Sequence, residues 1–129
     1  MTQFTPENTQ MITLFGIPNC DTVKKARAWL TENGIDYQFH DFKKQGVPPE
    51  RLNVWIEAVS WEKLLNRQGT TWRKLDAATQ NTAVDAESVA KLLILNASLI
   101  KRPVVEWTDM ASGKDVSVGF DAGNWAKRV

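Results

Sequence analysis

The stretch MITLFGIPNCDTVKKARAWL, Met11 to Leu30, changes its periodicity in the middle. Met11, Ile12, Thr13, Leu14 and Phe15 form a short apolar run with strand character, and Gly16 and Pro18 then break it. From Asp21 to Glu32 the apolar residues Val23, Ala26, Trp29 and Leu30 return at helical spacing. The loop GIPNC, Gly16 to Cys20, therefore joins a strand to a helix. Asn33 and Gly34 supply the helix stop, because both tolerate the left-handed conformation that closes helices. Ile35, Tyr37, Phe39 and, out of phase, Phe42 predict a second strand that runs into the polar Asp41, Lys43 and Lys44. The result is a strand–helix–strand unit.

Downstream, Pro48 and Pro49 suit a helix start, where a proline forfeits no intrahelical bond. Leu52, Trp55, Ile56 and Val59 follow the spacing of one buried helix face. Ser60 is placed to cap a short helix through Glu62, Leu64 and Leu65. NRQGTTWRKL, Asn66 to Leu75, reads as a polar connector, and Thr82 with Asp85 resembles a capping box ahead of a helix burying Val89, Leu92 and Leu93. Val104 to Trp107 has strand propensity, Asp109 to Lys114 looks like a hairpin connection, and Val116 to Val118 is its second strand. Gly119 ends that strand, and Asp121 caps a last helix carrying Trp125. These elements assemble as an α/β, thioredoxin-like fold: a mixed four-stranded sheet flanked by helices, with a helical insertion at about 47–98 between the second and third strands. One domain spans residues 11–129, and residues 1–10 read as a polar tail.

Bulk composition narrows the function. The chain has 129 residues, 43% hydrophobic and 24% charged, an ordinary globular balance with length for a real core. A net charge of +1 gives no global electrostatic case for nucleic acid or an anionic membrane. No apolar run reaches the ~18 residues of a membrane-spanning helix, and MTQFTPENTQ lacks the basic start and apolar core of a signal peptide. With 1 cysteine no internal disulfide forms, so a cytoplasmic location is expected. There is no CxxC, no HExxH and no glycine fingerprint after a strand, and no metal or nucleotide site is expected.

Cys20 is then the chemistry to explain. At the last loop position before a helix, its sulfur lies near backbone N–H groups and the positive end of the helix dipole, both of which stabilise a thiolate. Lys24 and Arg27 add positive charge one and two turns on, while Asp21 opposes it. An isolated cysteine is commonly a small apolar filler. A glycine and proline loop between an apolar strand and an amphipathic helix has little need of one, and the context favours a reactive role. Arg102-Pro103 stands just ahead of the third strand. An X-Pro bond becomes cis far more readily than others, and the sequence leaves the isomer open. Arg102 is placed either to present its guanidinium beside the sulfur or to lie in solvent before an edge strand. Arg67 and Arg73 flank QGTTW. Their planar forks suit oxyanions, although most surface arginines bind nothing specific. His40 has no second ligand or nucleophile at a recognisable spacing and reads as solvent-facing or structurally satisfied.

Taken together, ITLFGIPNCDTVKKA, LLNRQGTTWRKL, LIKRPVV and VGFD, in this order and spacing, resemble the arsenate reductase (ArsC) family that includes the Spx regulators, and most of all its YffB-like branch. The resemblance implies a glutathione-dependent thiol reductase in which Cys20 is the nucleophile. It would form a mixed disulfide with glutathione or an adduct with an oxyanion such as arsenate. By position it makes Arg67 and Arg102 anion-binding residues, and Pro103, Lys24 and Asn19 complete the expected substrate or glutathione site. Glutathione would be the co-substrate and glutaredoxin a partner. Where the reductases carry a third oxyanion arginine, this chain has Val118, Gly119 and Phe120. The alternative implied by the Spx branch is a non-enzymatic regulator that binds the RNA polymerase alpha subunit. Val23 stands where the second cysteine of a CxxC switch would be.

Overall fold

A computed structural model of the chain describes residues 12–107 and 115–128. In order, its elements are β1 (Ile12–Gly16), α1 (Asp21–Glu32), β2 (Tyr37–Asp41), α2 (Phe42–Gln45), α3 (Pro49–Val59), α4 (Trp61–Leu64), α5 (Thr70–Lys74), α6 (Ala77–Gln80), α7 (Ala86–Leu95), a 3-10 turn (Ala97–Leu99), β3 (Val104–Glu106), β4 (Val116–Val118) and α8 (Ala122–Ala126). They fall into two compact units. One holds the described residues up to Asp41 together with those from Arg102 onward, and the other is Phe42–Lys101. The polar tail and the Asp109 to Lys114 connection expected from the sequence lie outside the described residues.

The first unit is a mixed four-stranded sheet in the order β2-β1-β3-β4. β1 and β2 run parallel, while β3 is antiparallel to both β1 and β4. This is the thioredoxin-like arrangement. The core lies on one face, where Ile12, Leu14, Val105 and Trp107 meet Val23, Ala26 and Leu30 of α1 and Trp125 of α8. Trp125 is the hub of an aromatic cluster, edge-on to Trp107 and Phe120 at 4.8 Å and to Trp29 at 5.7 Å. α1 packs so closely that a Cβ on Gly16 would lie 2.8 Å from Cγ2 of Val23, so the glycine closing β1 is a steric requirement. The expected stop is present as well: Asn33 is the C-cap of α1, Gly34 has φ +69°, and the Ile35 N–H donates to the Leu30 carbonyl at 2.9 Å.

The second unit is helical. Pro48 and Pro49 open α3, which buries Leu52 and Trp55. Ser60 caps α4 through its hydroxyl. Leu65 bridges Ile100, flanked by bonds from the Asn66 N–H to Leu99 and from the Lys101 N–H to Leu64, each 2.8 Å. Several details differ from the sequence reading: Phe42, expected in the second strand, opens α2, Ala77–Gln80 forms a further short helix, and two more differences arise from side-chain bonds. The polar connector contains α5, whose flanks are tied by side chains: Arg73 Nη2 donates to the Gln68 carbonyl at 2.6 Å and Gln80 Nε2 to that of Trp72 at 2.8 Å. The capping box lies one turn later than expected. Asp85 accepts from the Ser88 N–H and Ser88 Oγ from the Asp85 N–H, while the Thr82 hydroxyl donates back to the Thr79 carbonyl. Serine at the third helical position reciprocates because its hydroxyl both donates and accepts.

Candidate functional site

The sheet register gathers the expected site residues of the first unit at one end. Phe15, near the end of β1, pairs with His40 on one side and Val104 on the other, and Val104 pairs in turn with Val118. Past these pairs come the Gly16 to Cys20 loop, the Arg102-Pro103 element leading into β3, and Gly119 leaving β4.

Cys20 is the N-cap of α1, with φ −137° and ψ 123° and no capping bond from its side chain. Its carbonyl accepts the Lys24 N–H at 2.9 Å, the first bond of the helix. The residue is half-buried and rests against the core beneath α1. A sulfur here sits at the positive end of a helix of 12 residues. Asn19 and Lys24 are exposed on either side of it in sequence, as is Asp21. Arg27 is engaged elsewhere. Its Nε donates to the Tyr37 hydroxyl at 2.8 Å, and its guanidinium lies 4.1 Å from the Phe39 ring centre.

Arg102 is half-buried, and its Nε and Nη1 are buried without a hydrogen-bond partner among the described residues. Guanidinium donors are permanently charged, and leaving them unmet in the interior is costly. The Arg102-Pro103 peptide is cis, and Pro103 is buried, its carbonyl accepting the Gly119 N–H at 2.9 Å. The His40 ring lies 4.9 Å from that of Phe15, centre to centre. Among the described residues no group of His, Cys, Asp or Glu could hold a metal ion.

Arg67 belongs to the helical unit. It is exposed, its Nη2 donates to the Ala83 carbonyl at 3.4 Å, and its guanidinium lies 5.7 Å and 5.6 Å from the rings of Trp61 and Trp72. Arg73 is bonded to Gln68 in the same unit. Sequence reasoning missed the part played by Gly119. The signal was its position directly after a strand, but the bond to Pro103 depends on a register that no local pattern reveals.

Three comparisons bear on this geometry. The ArsC family model matches residues 15–128. An uncharacterised protein of Haemophilus influenzae is 40% identical over 111 residues, covering 86% of this chain and 92% of its own. The global transcriptional regulator Spx of Streptococcus pyogenes is 26% identical over 113 residues, covering 86% of this chain and 79% of its own. Among solved structures, the YffB protein superposes with a TM-score of 0.82 at 41% identity, covering 92% of this chain and 98% of its own. No described helix is long and apolar enough to cross a membrane. The chain belongs to the ArsC family.

Proposed function

We propose that this protein is a cytoplasmic, glutathione-dependent thiol reductase with Cys20 as its nucleophile and Arg102 as its anion-binding residue. The observation that carries the reading is the pair of buried guanidinium donors of Arg102 that have no partner among the described residues, at the sheet end where Cys20 caps α1. Membership in a family of thiol reductases supports it. In the proposed cycle the Cys20 thiolate attacks the glutathione sulfur of a mixed disulfide, and the other thiol leaves as thiolate. A second glutathione thiolate then attacks the sulfur bound to Cys20, releasing glutathione disulfide and restoring the thiolate. With 1 cysteine in the chain, the resolving thiol comes from outside. Arg102 would hold a glutathione carboxylate through paired, charge-assisted bonds. Asn19 and Lys24 flank the approach, and glutaredoxin is the partner that would take over the second thiol step. An oxyanion such as arsenate would be the alternative electrophile.

The test is turnover of cysteine–glutathione mixed disulfide by glutathione. Cys20→Ser is expected to abolish it, and Arg102→Ala to raise KM by about tenfold or more, in line with losing a charged hydrogen bond of about 1.5 to 3 kcal/mol. Activity that survives Cys20→Ser would sink the assignment. The likeness to Spx favours a second reading, a regulator docking on the RNA polymerase alpha subunit. Capture of that subunit, unchanged by Cys20→Ser and without glutathione turnover, would select it.

A further inference from the structure

We infer that Gly119 is a positioning residue for Arg102, an inference that rests on the anion-binding role proposed for that arginine. Among the described residues Nε and Nη1 of Arg102 make no bond that would hold the guanidinium in place, so its aim depends on the main chain that carries it. That main chain is fixed at Val104, which β1 and β4 flank through Phe15 and Val118. One residue further toward Arg102, the Pro103 carbonyl accepts the Gly119 N–H at 2.9 Å. This bond extends the β3–β4 ladder one step beyond its last pair and reaches the residue adjoining Arg102.

Gly119 makes this bond at φ +81°, a backbone conformation that residues with a Cβ rarely adopt. Its neighbours leave it little choice. Val118 is fixed by its pairing with Val104, and Phe120 is held edge-on against Trp125 at 4.8 Å and Trp29 at 6.5 Å. The chain therefore has one residue in which to turn from the sheet edge to the aromatic cluster. An L side chain at position 119 would shift the turn, and with it the donor that steadies Pro103.

Gly34 provides a matched control. It also has positive φ, at +69°, with nothing within 4 Å of an added Cβ, and it lies at the C-terminal end of α1. In the same mixed-disulfide assay, Gly119→Ala is expected to raise KM for the disulfide by about tenfold with kcat little changed. Alkylation of Cys20 by iodoacetamide should keep its rate. Gly119→Asn, which adopts positive φ more readily, should raise KM measurably but less. Gly34→Ala should lose thermal stability with KM unchanged. If Arg102→Ala raises KM while folded Gly119→Ala does not, the positioning role is overturned and the anion-binding role stands. Where the alanine variant does not fold, an unchanged KM in Gly119→Asn overturns it equally. If Arg102→Ala itself leaves KM unchanged, the anion-binding role fails and takes this inference with it.

Discussion

Gly16 shows how much of the site rests on single residues that do no chemistry. It ends β1 and begins the loop to Cys20, and its missing side chain is what allows α1 to lie against the strand through Val23, which is fully buried. Gly16→Ala should destabilise the protein by about 1 to 3 kcal/mol, the usual range for overpacking, because neither the strand nor a buried valine yields easily. Val23→Ala in the same chain should recover part of that loss, so that the pair is non-additive in urea unfolding. Strict additivity would show that the contact is absorbed elsewhere. From the sequence Gly16 is legible as a strand breaker, whereas its steric role depends on the distance between two elements. Cys20 is the opposite case. Its place at the helix start follows from the local change of period, and the structure puts it there as the N-cap.

At the scale of elements, what could be read depended on whether the signal was local. The proline start of α3, the Asn33-Gly34 stop of α1 and the Asp121 cap of α8 are short-range chemistry, and each stands where the pattern put it. α5 was missed because its ends are closed by side chains of Arg73 and Gln80, which reach five and eight residues along the chain. The start of α7 was misplaced by one turn because Thr82 and Asp85 both have cap-forming side chains, and only the reciprocal partner Ser88 decides between them. That cap carries a pH dependence. The Ser88 N–H, and then its hydroxyl, hold the Asp85 carboxyl below the ordinary carboxylate range. Thr79 acts in the same sense on Asp76 at α6, its side chain first and its N–H second. A carboxyl lowered on folding contributes fully above its unfolded value of about 3.9 and loses that contribution as pH falls through the folded one. Stability should thus decline as the pH drops below about 4. Asp85→Asn, which keeps an acceptor oxygen but cannot ionise, should lower the urea midpoint at neutral pH and narrow its gap to the parent protein on acidification. A gap that stays constant down to about pH 3 would remove Asp85 from the account.

For the molecule as a whole, the order of elements was legible and its division was not. The alternation of strand, helix and strand, then helices, then two strands and a helix is a property of periodicity, and the thioredoxin-like sheet follows from it. The boundaries at Asp41 and Arg102 are not: the helical unit begins with Phe42 and runs to Lys101, against the expected 47–98, because Phe42 packs on Trp55 at 6.1 Å and Leu64 and Leu65 bond to the segment around Ile100. Those are contacts across the sequence that no window sees. Of the two arginines singled out at the start, Arg102 belongs to the sheet unit and Arg67 to the helical one. Arg67 has partners of its own there in Trp61, Trp72 and Ala83. Each exposed cation–aromatic contact is worth about 0.5 to 1 kcal/mol, and the flat guanidinium that faces both rings is not matched by an ammonium. Arg67→Ala should therefore destabilise the protein by about 1 kcal/mol, with Arg67→Lys recovering only part of it. Thermal unfolding and steady-state kinetics on the same two variants decide the matter. A KM that rises in both, without loss of stability, would favour for Arg67 the anion-binding role that the resemblance implies.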